Sequence, residues 1–431
     1  MDLEALKAKL SATRAVDVRG KVLSVTGLAV RFALPGARVG DVVTIRRRGE
    51  PLACEVVGFS QGEAVGMPLG ALEGVGPDDA VEPLASGFFV PVSDALLGRV
   101  LDGLGRPIDA GPSLEGGRPV PTTRAAPRAL ERRPIRDVLP TGVRVVDALL
   151  TLGEGQRIGV FAGSGVGKTS LLSAMARGTR ADVVVVALVG ERGREVLELL
   201  ETLGDEARKK TIVVAATSDV PALERLRAAE VATAYAEHFR DEGKRVLLVV
   251  DSVTRYARAA REVGLAAGEP PARRGYPPSV FALLPKLLER AGQGSTGSIT
   301  GVYTVLVEGG DMEEPVADEV RGILDGHIVL DRRIAERGRF PAVDVPASLS
   351  RLHGQLVSKE HKRLATRLRT LVAVYESKRE LVTLGAYTRG ADKTLDDALS
   401  RLSAIERLLA QAPHETTSFE DTLERLEDVV G

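Results

Sequence analysis

The chain has 431 residues, a length that points to two to four structural units. Hydrophobic residues make up 44% and charged residues 27%, which suits a soluble globular protein with a sizeable core. A formal net charge of -1, 3% aromatic residues and no Trp argue against a nucleic-acid binder with a broad basic field or a base-stacking platform.

The opening "MDLEALKAKL" has no long apolar region, so it does not read as a secretory signal. No apolar run approaches the roughly 20 residues a membrane span needs. Leu3, Leu6 and Leu10 share one face of a short helix. Residues 1–15 are therefore a terminal helix, either frayed or used to dock on a partner or a membrane surface. Residues 16–85 carry short β-type runs split by Gly and Pro: "GKVLSVTGLAVRFAL", "DVVTIRRRG" and "LACEVVGFS". That spacing predicts a small antiparallel barrel or sandwich. The single cysteine, Cys54, excludes an internal disulfide framework, suits a reducing cytosol and reads as a small buried hydrophobe.

Residues 101–127 are dense in Gly and Pro and read as irregular linker. From about Gly155 to Leu330, apolar runs alternate with helical segments: "RIGVFA", "DVVVVALV", "TIVVAAT", "RVLLVVD" and "VYTVLVE". This predicts an α/β unit over residues 86–347, including its leading linker, with a parallel sheet covered on both faces. Residues 348–431 turn helical, with helices expected over 356–380, 392–411 and 416–430.

"RIGVFAGSGVGKTSLLSAMAR" supplies a strand, a Gly-rich turn and a helix in order, the context of a phosphate loop. Gly163, Gly165 and Gly167 let backbone N–H groups converge on phosphate oxygens, with Ser164, Val166 and Ser170 completing the binding stretch. Lys168 would reach the β/γ-phosphates and the Thr169 hydroxyl would coordinate Mg²⁺. Ala162 stands where the strict pattern has its first glycine. "KRVLLVVDS" ends a buried strand in Asp251, placed to reach the metal through water. "VVVVALVGERGRE" delivers Glu191 and Arg192 at the carboxyl end of another strand, where open α/β sheets build their sites. Glu191 is the candidate for polarising an attacking water; the alternative is that both residues merely open the next helix.

Taken together, "TGVRVVDALLTLGEGQRIGVFAGSGVGKTSLL", "GERGREV", "LLVVDSVTRYARAAREVGLAAGEPPARRGYPPSVF" and "GSITGVYTVLVEGGDMEEPVADEVRGILDGHIVLDRRIAERGRFPAVDV" resemble the flagellar and virulence type III export ATPases of the F1/V rotary class. The resemblance covers about Val16 to Leu409. It implies a RecA-like P-loop NTPase core between an N-terminal β-barrel and a C-terminal helical domain. It also implies a cytoplasmic homohexameric ring at the inner face of the cell membrane, with ATP and Mg²⁺ at subunit interfaces. Lys168, Thr169, Glu191, Arg192 and Asp251 match the family's phosphate, metal and catalytic positions. Arg255 matches an arginine near the γ-phosphate, Phe340 an aromatic packed on adenine, and Tyr387 a second residue closing that pocket. Arg351, ending "SLSR", matches the arginine finger supplied in trans. Implied partners are a regulator or stator at the N-terminus, a central stalk, an export gate and chaperone–cargo complexes, with peripheral membrane contact and no nucleic acid.

Passive ring subunits tend to lose the catalytic carboxylate or the loop lysine, whereas this chain keeps both and carries the finger, which favours a homo-ring. Against an F1/V catalytic subunit, residues 388–411 lack an acidic run of the "DELSEED" kind. Near-neutral charge and few aromatics argue against an RNA-translocating hexamer of the Rho type. "EGGDMEEPVADE" (308–319) reads as a polar interface or lid, and Arg273 and Arg274 as pore-lining residues or a solvated turn. The histidines show no zinc-binding spacing. "FAGSGVGK" leans towards the flagellar type.

Overall fold

Alternating apolar and polar residues in the first described segment produce six antiparallel strands: β1 (Gly20–Thr26), β2 (Ala29–Ala33), β3 (Val42–Arg46), β4 (Leu52–Ser60), β5 (Glu63–Pro68) and β6 (Ala80–Ala85). They close into a barrel in the order β1-β2-β5-β4-β3-β6. Val30, Phe32, Val43, Ile45, Cys54 and Val56 point inward and fill it. Burial pushes the Cys54 thiol well above its ordinary pKa, so it packs as a hydrophobe. This architecture comes from a computed structural model that describes residues 18–114 and 116–431; the helix expected over residues 3–10 lies outside the described residues.

The stretch expected as irregular linker over 101–127 holds β9 (Arg118–Pro121) and the end of β8 (Val100–Asp102), and β7 (Phe89–Val92) lies just before it. β7 pairs with β9, and β8 joins the central sheet. Asp109 folds back on Arg99, accepting from its Nη2 at 2.7 Å and from the Val100 N–H at 2.7 Å. The three residues of β8, between Arg99 and Gly103, are too short to read as a strand; an open sheet edge recruits them.

The central sheet runs in the order β17-β16-β10-β15-β13-β11-β12-β8. Its parallel members are β8, β10 (Arg157–Ala162), β11 (Val183–Glu191), β12 (Thr211–Thr217), β13 (Arg245–Asp251), β15 (Ser298–Leu306) and β16 (Gly326–Leu330). Short β14 (Gly292–Gln293) and β17 (Leu349–Ser350) pair antiparallel. The nine residues of β11 are all buried, as expected for a sheet covered on both faces. β15 starts four residues before the expected "VYTVLVE", because Ser298, Ile299, Thr300 and Gly301 are buried and pair with β13 from Arg245 onward.

A buried ion network fixes the barrel to the core. Arg227, in the helix Ala222–Asp241, donates from Nε to Glu55 of β4 at 3.0 Å and also pairs with Glu230. All three side chains are buried. Arg227→Ala would strand two buried carboxylates, so a stability loss of about 3–5 kcal/mol is expected at this junction. Scanning calorimetry reads it as a lowered thermal midpoint; an unchanged midpoint would contradict the role.

The last helices are Lys359–Thr383, Lys393–Leu409 and Phe419–Val430. Ser358, Asp392 and Ser418 cap them, which sets their starts three residues after those expected at 356 and 416 and one after that at 392. Buried Arg144, opening the helix Arg144–Leu149, ties them to the core through Leu408 O (3.2 Å) and Thr417 Oγ1 (3.0 Å).

Candidate active site

β10 ends at Ala162 and the chain turns through Gly163–Gly167 into the helix Lys168–Gly178. Ala162 is a fully buried strand residue, paired with Leu306 and Leu330, so the position demands no glycine. Gly167 does: its φ is +88°, and a Cβ there would sit 3.2 Å from the Phe340 ring. Val166 is buried and anchors the loop, whereas Ser164, Gly165 and Ser170 are exposed. No side chain caps the helix at Gly167, so its first N–H groups are available to an anion.

Lys168 Nζ lies 2.5 Å from Asp251 Oδ1 and 3.1 Å from Glu191 Oε1. Burial depresses the ammonium, but the two carboxylates outweigh it and raise the lysine above its ordinary value. Asp251 ends β13, and the Thr304 hydroxyl on neighbouring β15 donates to its Oδ1 at 2.7 Å. Glu191 leaves β11 through an irregularity at Gly190, whose φ is +65°. Arg255, in the helix Val253–Ala266, holds Glu191 Oε2 at 3.0 Å and donates to the Gly190 carbonyl.

Burial is the largest cause of a Glu191 pKa pushed up to about 7. Asp251 and a hydrogen bond from protonated Glu191 to Glu195 add to it, and Lys168 and Arg255 oppose it. The carboxylate is therefore poised to accept a proton near neutrality. Lys168, Glu191, Glu195 and Arg255 border a cavity of about 500 Å³ that also takes in Thr169 and Arg192. The Arg192 side chain is 75% exposed, its nearest acid being Glu195 at 4.0 Å.

Beside the phosphate loop, Phe340 stands 40% exposed over Gly167. It forms one wall of an apolar cleft with Val143, Ala174, Pro341, Ala412 and Pro413. Tyr387 is not among the residues lining that cleft: its hydroxyl donates to Asp396 Oδ1 (2.9 Å) and the Asp392 carbonyl (3.1 Å) within the C-terminal helical region. Arg351 also lies apart. It follows β17, which pairs with the start of β16 at Gly326, whereas the phosphate loop is level with the end of that strand at Leu330. Four strand residues separate the two levels by about 13 Å. Arg351 is exposed, and its guanidinium has no ion-pair partner among the described residues. Arg273 and Arg274 face the 308–319 segment, paired with Asp318 (3.6 Å) and Asp311 (3.2 Å). Among the described residues no group of His, Cys, Asp and Glu forms a metal-binding cluster.

Three contributors escape the motif reading: Thr304, Glu195 and the Val143 and Ala412–Pro413 walls. Thr304 carried a signal, being the one aliphatic hydroxyl inside the apolar run "VYTVLV". The walls come together only through the tertiary fold.

Comparison with known proteins shows the family and the fold. The ATP synthase alpha/beta family, nucleotide-binding domain, matches residues 142–350, and the T3SS EscN ATPase C-terminal domain matches residues 357–428. The Type 3 secretion system ATPase of Xanthomonas euvesicatoria is 50% identical over 99% of this chain and 98% of its own length. The Flagellum-specific ATP synthase of Bacillus subtilis is 47% identical over 96% and 95%. The chain belongs to the type 3 secretion and flagellar export ATPases. The assembled ATPase EscN from the enteropathogenic E. coli type III secretion system superposes with a TM-score of 0.91 and 44% identity, over 96% of this chain and all of that one. A second EscN structure, in complex with its central stalk EscO, gives 0.89. The expected fold, a RecA-like core between a barrel and C-terminal helices, is thus the fold of this export ATPase. Family membership over the whole chain favours it over an F1/V catalytic subunit or a Rho-like hexamer. Relatives of both the secretion and the flagellar kind match at similar identity, so the flagellar leaning of "FAGSGVGK" separates nothing.

Proposed function

We propose that the chain is a Mg²⁺-dependent ATP hydrolase that energises protein export as a homohexameric ring with its sites at subunit interfaces. The carrying observation is the meeting of Lys168, Glu191, Asp251 and Arg255 beside an uncapped helix start at the carboxyl ends of the strands. Backbone N–H groups from Gly163 to Thr169 receive the phosphates, and Lys168 exchanges a carboxylate contact for a phosphate oxygen. The Thr169 hydroxyl and Asp251 carboxylate are hard oxygen donors of the kind Mg²⁺ takes when phosphates and waters complete its shell. Bound there, the ion would neutralise phosphate charge. Thr304 holds the Asp251 carboxylate in one orientation. Glu191 orients the attacking water and accepts its proton, while Arg255 and Arg192 stabilise charge on the phosphoryl oxygens. Arg351 of a neighbouring subunit completes the charge balance; one chain carrying both halves supports a ring of identical subunits.

In this reading adenine lies against Phe340, and Tyr387 acts from the C-terminal domain at a distance from the cleft. Closure at the interface moves the C-terminal helices through the Arg144 tie, and those helices act on a central stalk or on chaperone–cargo complexes at an export gate. Terminal residues 1–15 engage a regulator or stator, or the membrane surface, placing a cytoplasmic ring at the inner face of the membrane. No nucleic acid is required. The direct test is Mg²⁺-dependent phosphate release by the purified protein: release that ignores chelation of the metal would sink the proposal. Phe340→Ala is expected to raise KM for ATP about tenfold with kcat little changed, since stacking on a base is worth about 1–3 kcal/mol. An unchanged KM would move adenine elsewhere.

A further inference from the structure

Arg258 lies one helical turn beyond Arg255, on the same side of the helix Val253–Ala266. Unlike Arg255 it does not touch Glu191. Its Nη2 meets Glu308 Oε1 at 2.9 Å, and Tyr276 lines the same space beside it. Arg258, Leu306 and Glu308 border the phosphate cavity and also a second cavity of about 540 Å³ beside it. The Arg258–Glu308 pair thus stands where the two spaces meet. Arg258 is 47% exposed and Glu308 86%, so the pair is well solvated and weakly held. A phosphate dianion can accept from both prongs of the guanidinium, as a carboxylate can, and brings twice the charge of the single exposed Glu308 carboxylate.

Glu308 is not free to wander. It directly follows Val307, whose N–H bonds the carbonyl of Ala162 at the base of the phosphate loop at 3.1 Å. The acid that competes for Arg258 is therefore registered to the loop that holds the nucleotide.

We propose that Arg258 binds the inorganic phosphate released by hydrolysis, in competition with Glu308, at the mouth between the two cavities. This rests on the hydrolase reading above. Arg258 is here a phosphate-contacting residue on the exit side, distinct from Lys168 and Arg255, which face the bound triphosphate.

The test measures inhibition of steady-state ATP turnover by added inorganic phosphate, and separately by ADP, in the full-length assembled protein. Arg258→Gln is expected to raise the inhibition constant for phosphate about tenfold, the worth of one charge-assisted contact, and to leave that for ADP unchanged. Arg258→Lys should recover part of the loss, and Glu308→Gln should tighten phosphate by removing the competitor. An unchanged phosphate constant in Arg258→Gln, or equal shifts for phosphate and ADP, would overturn the assignment. If Arg258→Gln does not turn over, the thermal shift that phosphate gives the ADP-bound protein decides: its loss supports the assignment and its retention overturns it. A wild-type protein that releases no phosphate from ATP would overturn the hydrolase reading itself, whereas normal turnover with variant-insensitive phosphate inhibition overturns only Arg258.

Discussion

Glu191→Gln is expected to lower kcat by about a hundred- to ten-thousand-fold while leaving nucleotide affinity close to wild type. Glutamine keeps the shape and the hydrogen bond from Arg255 but cannot accept the proton of the attacking water. The site makes a companion forecast. Burial pushes the Glu191 pKa up to about 7, so on the proposed role as proton-accepting carboxylate wild-type kcat/KM should fall about tenfold per pH unit below that value. Its surroundings set that position from all sides: Asp251 and Glu195 repel or share the proton, and Lys168 and Arg255 attract the charge. The stability consequence has the opposite sense from an ordinary ion-paired acid. A folded-state pKa above the unfolded one means the folded chain binds the proton more tightly, so this group's contribution is present at low pH and is lost as pH rises towards 7. Glu191→Gln should therefore keep, or slightly raise, the thermal midpoint above neutrality while turnover collapses. A variant that loses both would show that the carboxylate is structural, and one with wild-type turnover would remove it from catalysis.

Arg351→Ala is expected to cost more, about a thousand- to hundred-thousand-fold in kcat, the range of an arginine finger on a phosphoryl group. Position carries the argument. Arg351 follows β17, level with the start of β16, and the phosphate loop is level with the end of β16, about two side-chain lengths away, which places the arginine apart from the phosphate loop of its own subunit. Exposed and without an ion-pair partner among the described residues, it is free to enter a neighbour's site. The same substitution should leave ATP binding to the isolated subunit unchanged, because that subunit's phosphate loop, Phe340 cleft and Glu191 are untouched. Weakened binding in the isolated subunit would instead place Arg351 in cis.

Much of this was legible in the sequence, and for physical reasons. Buried parallel strands are continuous apolar runs, so β10, β12 and β13 could be read residue for residue, and the residues at their carboxyl ends then fell into place. Glu191 and Asp251 were legible because each sits where a run stops, and Lys168 because it closes the Gly-rich turn after one. β8 was not, because three residues carry no periodicity and pairing with β12 makes the strand. Thr304 and Glu195 were hidden because their importance lies in whom they meet across the sheet or one helical turn away. Tyr387 shows the opposite limit. A motif places it near adenine, yet hydrogen bonds to Asp392 and Asp396 engage its hydroxyl in the helical domain.

The central claim is that each working site is assembled from two copies of the chain. Mixing Glu191→Gln with Arg351→Ala in equal amounts tests it most directly. Each variant alone is expected to be nearly inactive. In a mixed ring, a subunit keeping Glu191 will meet a neighbour keeping Arg351 at about a quarter of the interfaces, so turnover should return to a sizeable fraction of wild type. Activity that stays at the sum of the two inactive variants, in rings shown to contain both, would contradict a shared active site.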